Sequence, residues 1–237
     1  MQHVIDDFNV RTNEIDIYIE FVKKLHERDC KLYMPHKIRE QDKYSDISGD
    51  LTAICKANVF IILYNIIESS VREGILDIYE SIKVGDYNYS DVRLEVRKLW
   101  TKFQFKNAYS MESSWDSYYR KLEDIINQIV SSSILELDRN AIPVSGNLNA
   151  DKVRSVCDLH GISTTVHHQA RGGISLEEIK SQRNLLAHGH LSFVECGRQF
   201  EIAQIESFKK EAIIFVRGIL TNMKAYSDAQ RYLAANA

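Results

Sequence analysis

A chain of 237 residues that is 44% apolar is long enough to form one large domain or two small ones around a substantial core. Its net charge of −3 excludes a surface that attracts nucleic acid or anionic membrane as a whole, so any basic patch for RNA must be local. The sequence has only 2 prolines and 10 glycines, and this scarcity of helix-breaking residues favours long helices.

Apolar residues recur at helical spacing through most of the chain. In chain order, this periodicity predicts helices over residues 4–29, 51–84, 91–107, 115–137, 150–160, 175–188 and 205–233. Residues 191–200 alternate enough for a loop or a small β-hairpin that turns at Gly197. We predict an all-α fold, an up-down helical bundle with long core helices and at most this hairpin as sheet. It is expected to form one domain over 1–237, with an N-terminal helical extension, 1–49, and a core, 50–237.

Capping residues mark several of these helix boundaries. Ser113 or Ser114 is placed to cap the helix over 115–137. Gly161 lies where a glycine in the left-handed conformation closes the helix over 150–160. Ser175 and Glu178 have the three-residue spacing of a capping box, which predicts the start of the next helix.

The cysteines and the apolar runs indicate the compartment. The four cysteines form no C-x-x-C pair, which argues against both a disulfide framework and a redox motif. The polar, acidic start of the chain has no signal-peptide core, and the longest apolar run, 59–67, is too short to span a bilayer. We therefore expect a reduced, soluble, cytoplasmic protein with no membrane contact.

The helix over 51–84 is apolar nearly all round, so we expect it to be buried. Five polar residues nonetheless fall within about 100° of one another around this helix. They are Asn58, Asn65, Glu68, Ser69 and Arg72. Unpaired buried polar groups cost roughly 1–3 kcal/mol each, so this polar stripe needs partners. Two compatible interpretations are an internal Glu68–Arg72 pair with helix–helix hydrogen bonds, or a stripe that lines a site, where Glu68 orients Arg183 or a histidine.

The most informative segment is Arg183-Asn184-Leu185-Leu186-Ala187-His188-Gly189-His190. It places a permanent cation, an amide and a titratable imidazole within two turns of one helix, which Gly189 ends. Asn184 and His188 are four residues apart and share a face, whereas Arg183 and His188 lie roughly 140° apart. Arg183 must therefore curl along the helix axis to meet His188.

These residue types fit cleavage of RNA without a metal or other cofactor. The ribose 2′-OH would attack its own phosphorus and leave a cyclic phosphate, while His188 transfers a proton and Arg183 neutralises the transition state. Asn184 would position His188 or the phosphate. In-line displacement needs proton transfer on opposite sides of phosphorus, so a two-fold dimer that brings two motifs to one cleft would supply a second His188.

Further histidines lie around this segment. His190 is either a contact beside the site or an exposed residue. His167, His168 and Arg171 lie in a Gly-flanked loop before the motif helix, where they form either a phosphate-binding patch or a solvated loop. A zinc site is the main chemical alternative, but its ligands would not match a recognised spacing. Those ligands would be Cys157, His160, His188, His190 and Cys196, with His167 and His168 as additional donors.

The motif Arg183-Asn184-x-x-x-His188, in the penultimate helix of an all-α domain, resembles the HEPN superfamily (higher eukaryotes and prokaryotes nucleotide-binding). Its diagnostic motif is R-φ-x-x-x-H, where φ is usually Asn, Asp or His. Three further segments resemble bacterial stand-alone HEPN nucleases. They are Asn65-x-x-Glu68-Ser69, Ser145-Gly146-Asn147-Leu148 with the short helix to Gly161, and Arg183–His190 continuing into Ser192-Phe193. The resemblance covers residues 50–235.

This resemblance implies a bundle of HEPN type, usually dimeric, that cuts RNA without metal. It implies that Arg183 and His188 are catalytic, that Asn184 supports them, and that Glu68 corresponds to an acidic position on an earlier helix. The usual dimer of the family implies a homodimer with the site at or near the interface. Many such proteins are toxins or phage-defence effectors, which implies a cognate antitoxin or regulatory partner.

A non-catalytic module is the alternative function. The helices over 51–84 and 205–233 would then be partner-binding faces, and Arg183 and His188 would hold a nucleotide, an RNA or a phosphate of the partner. The sequence has no G-x-S-x-G, P-loop or dinucleotide-binding pattern that would indicate another enzyme class.

Overall fold

The computed structural model describes residues 1–27, 30–106, 115–142 and 146–236, and the all-α fold is confirmed. The described residues form eight α-helices. In chain order these are α1 (Gln2–His26), α2 (Gly49–Val84), α3 (Leu94–Lys106), α4 (Trp115–Val130), α5 (Ala150–His160), α6 (Ser175–Ala187), α7 (Phe193–Arg198) and α8 (Ile202–Asp228). Short 3₁₀ helices are formed by Glu40–Lys43, Arg139–Ala141, His168–Gly173 and Ala234–Asn236.

The predicted helices are present, but two of them end about five to seven residues earlier than their periodicity indicates. The helix predicted over 115–137 ends at Val130, because the Ser131 hydroxyl bonds back to the Asn127 carbonyl and Ser132 takes a positive φ of 52°. The helix predicted over 205–233 ends at Asp228, just before Gln230 with φ +48°. The predicted caps Ser113 and Ser114 lie outside the described residues, as does Ser145.

The hairpin expected over 191–200 is wrong, since this segment contains α7. The Ser192 hydroxyl accepts the Glu195 backbone N–H, and the Glu195 carboxylate accepts the Ser192 backbone N–H, which is a complete capping box. Gly197 is not a turn residue either. A Cβ there would lie 1.8 Å from the Ala53 carbonyl oxygen, so only glycine lets α7 approach α2 this closely.

The sheet lies elsewhere, in a segment where we predicted none. Strands β1 (Lys31–Tyr33) and β2 (Tyr44–Asp46) pair antiparallel, with Leu32 opposite Ser45. The Tyr33 and Tyr44 rings contact each other across the pair in a tilted arrangement, with centroids 5.3 Å apart. Strands of three residues that are mostly exposed give little hydrophobic periodicity, which explains why the sequence does not reveal them.

The chain divides into two compact units, and α1, α2 and α8 each contribute to both. The first unit comprises Met1–Ile5, Ser69–Val166 and Val216–Ala237, and the second comprises Asp6–Glu68 and His167–Phe215. Each unit has its own buried side chains. Those of the first include Ile75, Ile78, Ile82, Leu148, Ile219 and Met223, and those of the second include Phe8, Ile15, Phe60, Leu63, Tyr64 and Phe215.

The apolar character of α2 reflects burial. By length and composition alone, Gly49–Val84 would suffice to cross a membrane, but 56% of its most apolar window is buried inside the protein. Its start is fixed by Ser48, whose hydroxyl accepts the Leu51 backbone N–H. We infer that α2 is a core helix.

Candidate functional site

Helix α6 carries the motif and ends where the sequence predicts. Leu176, Ile179 and Leu186 form its buried face at spacings of three and seven residues. The helix stops at Ala187, His188 is its C-cap, and the His188 backbone N–H donates to the Asn184 carbonyl at 3.0 Å. Gly189 follows at φ +69°, a conformation that glycine adopts without strain.

The start of α6 is anchored differently from our prediction, because the capping box at Ser175 and Glu178 is wrong. Ile174 is the N-cap, so Ser175 lies inside the helix and its hydroxyl cannot reach the backbone N–H of residue 178. The Ser175 hydroxyl donates instead to the buried carboxylate of Glu211 on α8. Glu178 accepts from the Gln182 side-chain amide at 2.8 Å.

The guanidinium of Arg183 lies over the face of Tyr64, with its central carbon 4.0 Å from the ring centroid. Tyr64 is fully buried on α2, so the ring is a fixed surface against which the planar guanidinium is oriented. The sequence did not identify Tyr64, because it lies within an apolar run and matches the pattern of a core residue.

Two polar groups also hold Arg183. Its Nη1 donates to the Asn184 side-chain oxygen at 2.8 Å, and its Nη2 lies 3.7 Å from the Glu68 carboxylate. The second distance is that of an ion pair rather than a hydrogen bond. The side chains of Arg183 and Glu68 are 23% and 17% exposed, so both charges keep some water while lying near the core. The side chain of Asn184 therefore contacts the guanidinium of Arg183, the residue before it on α6.

His188 is exposed at the end of α6, and so is His190. Their ring centroids are 6.1 Å apart, so the two imidazoles are neighbours on one turn. The structure thus combines a half-buried, oriented cation with an imidazole that solvent and substrate can reach, both delivered by the same short helix.

Three other residues of the polar stripe on α2 lie in different surroundings. Asn58 donates to the Ile54 carbonyl of its own helix at 3.1 Å. Asn65 is exposed and lines a groove beside α1. Arg72 belongs to the first unit, whereas Arg183, Glu68 and His188 belong to the second.

The loop residues predicted to bind substrate are engaged in the protein's own structure. The His167 Nδ1 accepts the Gln169 backbone N–H at 3.2 Å, and the His167 and His168 rings lie 4.2 Å apart. Arg171 has a positive φ of 46° and donates to the Glu211 carboxylate at 3.2 Å. Glu211 thus ties this loop and the start of α6 to α8.

The side chains of the zinc alternative are satisfied in other ways. The His160 Nδ1 donates to the Val156 carbonyl and its Nε2 accepts the Tyr79 hydroxyl, each at 2.7 Å, and burial lowers the pKa of His160 to about 4. Burial raises the pKa of the Cys157 thiol to about 12 and that of Cys196 to about 11. Within the described residues, no three His, Cys, Asp or Glu side chains are grouped to hold a metal ion.

A family model described as MAE_28990-like HEPN matches residues 1–232 of the chain. The match begins at the first residue, so it includes α1 and the small sheet as well as the motif helix. No curated protein and no solved structure gives a significant match.

Proposed function

The chain belongs to the MAE_28990-like HEPN family, and from this premise we propose that it is a metal-independent endoribonuclease. One observation carries the proposal. Arg183 is oriented by the Tyr64 ring, Asn184 and Glu68, and the exposed His188 follows it at the end of the same helix. A phosphate-binding cation and a proton-transfer group are the two requirements for cleaving RNA through its own 2′-OH.

Arg183 is suited to bind the phosphate. A guanidinium stays protonated and presents paired donors to phosphate oxygens. Because Tyr64 covers one face of the guanidinium plane, the substrate meets its edge or its other face. Glu68 lies at ion-pair distance and not at hydrogen-bond distance, so it orients the cation without neutralising it fully.

His188 is suited to move the protons. As general base it takes the proton of the 2′-OH, the 2′-oxygen bonds to phosphorus, and the bond from phosphorus to the 5′-oxygen breaks. The products are a 2′,3′-cyclic phosphate and a 5′-hydroxyl, whose oxygen needs a proton from a general acid. A second His188, from a two-fold partner with its motif at the same cleft, would supply that proton, so we propose a homodimer with the site near the interface.

The biological role is proposed from the family resemblance. We propose a cytoplasmic toxin or phage-defence effector whose activity is restrained by a cognate antitoxin or another regulatory partner. The first substrates to test are total RNA and tRNA.

The direct experiment is incubation of purified protein with total RNA and tRNA in EDTA. We expect fragments with cyclic phosphate ends from the wild-type protein and from His36→Ala, which removes an exposed histidine on the turn after β1. His188→Ala should lose this activity and keep its fold, because the side chain is exposed.

Two outcomes would contradict the proposal. Cleavage by His188→Ala at the wild-type rate would remove the assigned role of the imidazole. Binding of RNA by wild-type protein without cleavage would instead favour the alternative, a non-catalytic RNA-binding or interaction module.

A further inference from the structure

Helices α1 and α2 line an open groove of about 340 Å³, which we call the α1–α2 groove. Its lining residues are Asp7, Val10, Arg11 and Glu14 of α1 and Ile62, Asn65 and Ile66 of α2. This volume lies in the range of small-molecule sites and suits a single nucleobase with part of its ribose. All of these residues belong to the second unit, as do Arg183 and His188.

Asn65 is a lining residue whose side-chain amide is open to a ligand. Its side chain is exposed, and its amide has no hydrogen-bond partner among the described residues. An asparagine amide presents one acceptor and two donors side by side. This pattern matches the adjacent donor and acceptor on the edge of a base.

The geometry of α2 makes Asn65 a neighbour of Glu68, the residue at ion-pair distance from Arg183. Tyr64 and Glu68 contact the guanidinium from one face of α2. Asn65 lies about 60° around the helix from Glu68 and one turn before it, at roughly 100° and 1.5 Å per residue. The distance along the axis is therefore about 4.5 Å, so the side chains of Asn65 and Glu68 are neighbours on the helix surface.

The charges of the groove select the part of the RNA that fits. Asp7 and Glu14 oppose a single guanidinium, that of Arg11, which donates to Asp7 at 2.8 Å. The groove therefore carries an excess of negative charge, which disfavours phosphate. Carboxylates accept hydrogen bonds from amino and hydroxyl groups, and the side chains of Val10, Ile62 and Ile66 offer an apolar surface to the base.

We propose that the α1–α2 groove is a subsite for one unpaired nucleobase of the RNA, next to the cleaved linkage, whose edge is hydrogen-bonded by the Asn65 amide. The proposal rests on the proposed function, which places the RNA phosphate at Arg183. Proteins that read RNA sequence mostly do so on single-stranded bases with exposed edges. The subsite would thus give the enzyme its base preference, while Arg183 and His188 provide the chemistry.

The test measures binding, so that it does not depend on cleavage. Short oligoribonucleotides of A, C or U are titrated into His188→Ala protein and followed by fluorescence anisotropy. We expect one base to be preferred, and Asn65→Ala to weaken binding of that oligomer about tenfold while leaving the other two unchanged. Val10→Trp, at an exposed position of the groove, should fill it and have the same selective effect.

Asn13→Ala is the matched control, because Asn13 is an exposed asparagine of α1 that does not line the groove. Equal affinity for the three oligomers, binding of none, or a preference that survives both Asn65→Ala and Val10→Trp would overturn the subsite. Base-selective binding without cleavage by the wild-type protein would overturn the catalytic proposal alone. Cleavage without base-selective binding would overturn the subsite alone.

Discussion

The dipeptide His-Gly lies at the C-terminal ends of two helices of this protein, yet the two histidines are in opposite environments. Helix α5 ends at His160 and is closed by Gly161 at φ +73°, and α6 is followed by His188 and by Gly189 at φ +69°. His160 is 1% exposed and both of its ring nitrogens are hydrogen-bonded within the protein. His188 is exposed beside a second imidazole.

The comparison shows that a His-Gly pair at a helix end indicates where the helix stops and not what the histidine does. The glycine is explained in both cases by the left-handed turn. The difference comes from neighbours that are distant in sequence. At the end of α5, the Tyr79 hydroxyl of α2 donates to His160. Near the end of α6, the contact with α2 is made by Arg183, which lies over the Tyr64 ring.

The largest contrast should appear when each histidine is replaced by alanine. We expect His188→Ala to lower the rate of RNA cleavage by about 10²- to 10⁴-fold with a change in unfolding free energy within about 0.5 kcal/mol. His160→Ala should lower the unfolding free energy by about 2–4 kcal/mol, because it leaves a cavity and unpaired buried groups. Urea unfolding measures the free energy of unfolding of the two variants, and cleavage assays measure their rates. The comparison fails if His160→Ala is as stable as wild type.

The next largest effect is expected from acid, which should lower the free energy of unfolding through His160. Because burial lowers the pKa of His160 to about 4, the folded ring stays neutral while the unfolded one is protonated below pH 6.5. The stability that the neutral ring contributes is complete above pH 6.5. As the pH falls from 6.5 towards 4, the free energy of unfolding decreases by about 3 kcal/mol in all. Urea unfolding of wild type and His160→Gln across this range isolates the contribution, and parallel pH profiles would contradict it.

Substitutions of the two tyrosines that contact His160 and Arg183 should have smaller effects, on stability for Tyr79 and on the cleavage rate for Tyr64. Tyr79→Phe removes the hydroxyl that donates to His160, which should cost about 1–3 kcal/mol of stability and leave cleavage unchanged in the folded protein. Tyr64→Leu removes the aromatic face under Arg183 and should lower kcat/KM about tenfold, while Tyr64→Phe keeps the ring and most of the rate. An undiminished rate in folded Tyr64→Leu protein would refute the orienting role.

The smallest effect is expected at Glu68. The ion pair with Arg183 is long and partly exposed, so Glu68→Gln should lower kcat/KM only a few-fold. Because salt screens such pairs, the gap between wild type and variant should narrow as the ionic strength is raised. A gap that is independent of salt would indicate that Glu68 acts through a route other than its charge.

The parts of the fold that the sequence predicts are those with local causes. The ends of α5 and α6 are set by the glycines that follow them in the left-handed conformation. The position of α2 in the core is indicated by its long apolar run. Two errors came from patterns that fit more than one structure. The alternation over 191–200 fits a strand, but the Ser192–Glu195 capping box favours a helix. The Ser175–Glu178 spacing fits a capping box, but Ile174 takes the N-cap position and the Ser175 hydroxyl donates to Glu211.

The candidate site was predicted only as far as its motif. Arg183, Asn184 and His188 are neighbours along the chain, so their proximity needs no tertiary information. Glu68 was singled out by its polar stripe, and it lies at ion-pair distance from Arg183. Tyr64 was missed because a contact between α2 and α6 depends on how two helices pack, which a single apolar run does not encode.

The central claim is that Arg183 and His188 act on the same phosphodiester, and the double variant tests it most directly. Initial rates of RNA cleavage in EDTA are compared for Arg183→Ala, His188→Ala and the two combined. If the groups act as a unit, each single change removes most of the activity and the double variant is little slower than either. Losses that multiply in the double variant, or a single variant that cleaves at the wild-type rate, would contradict the account.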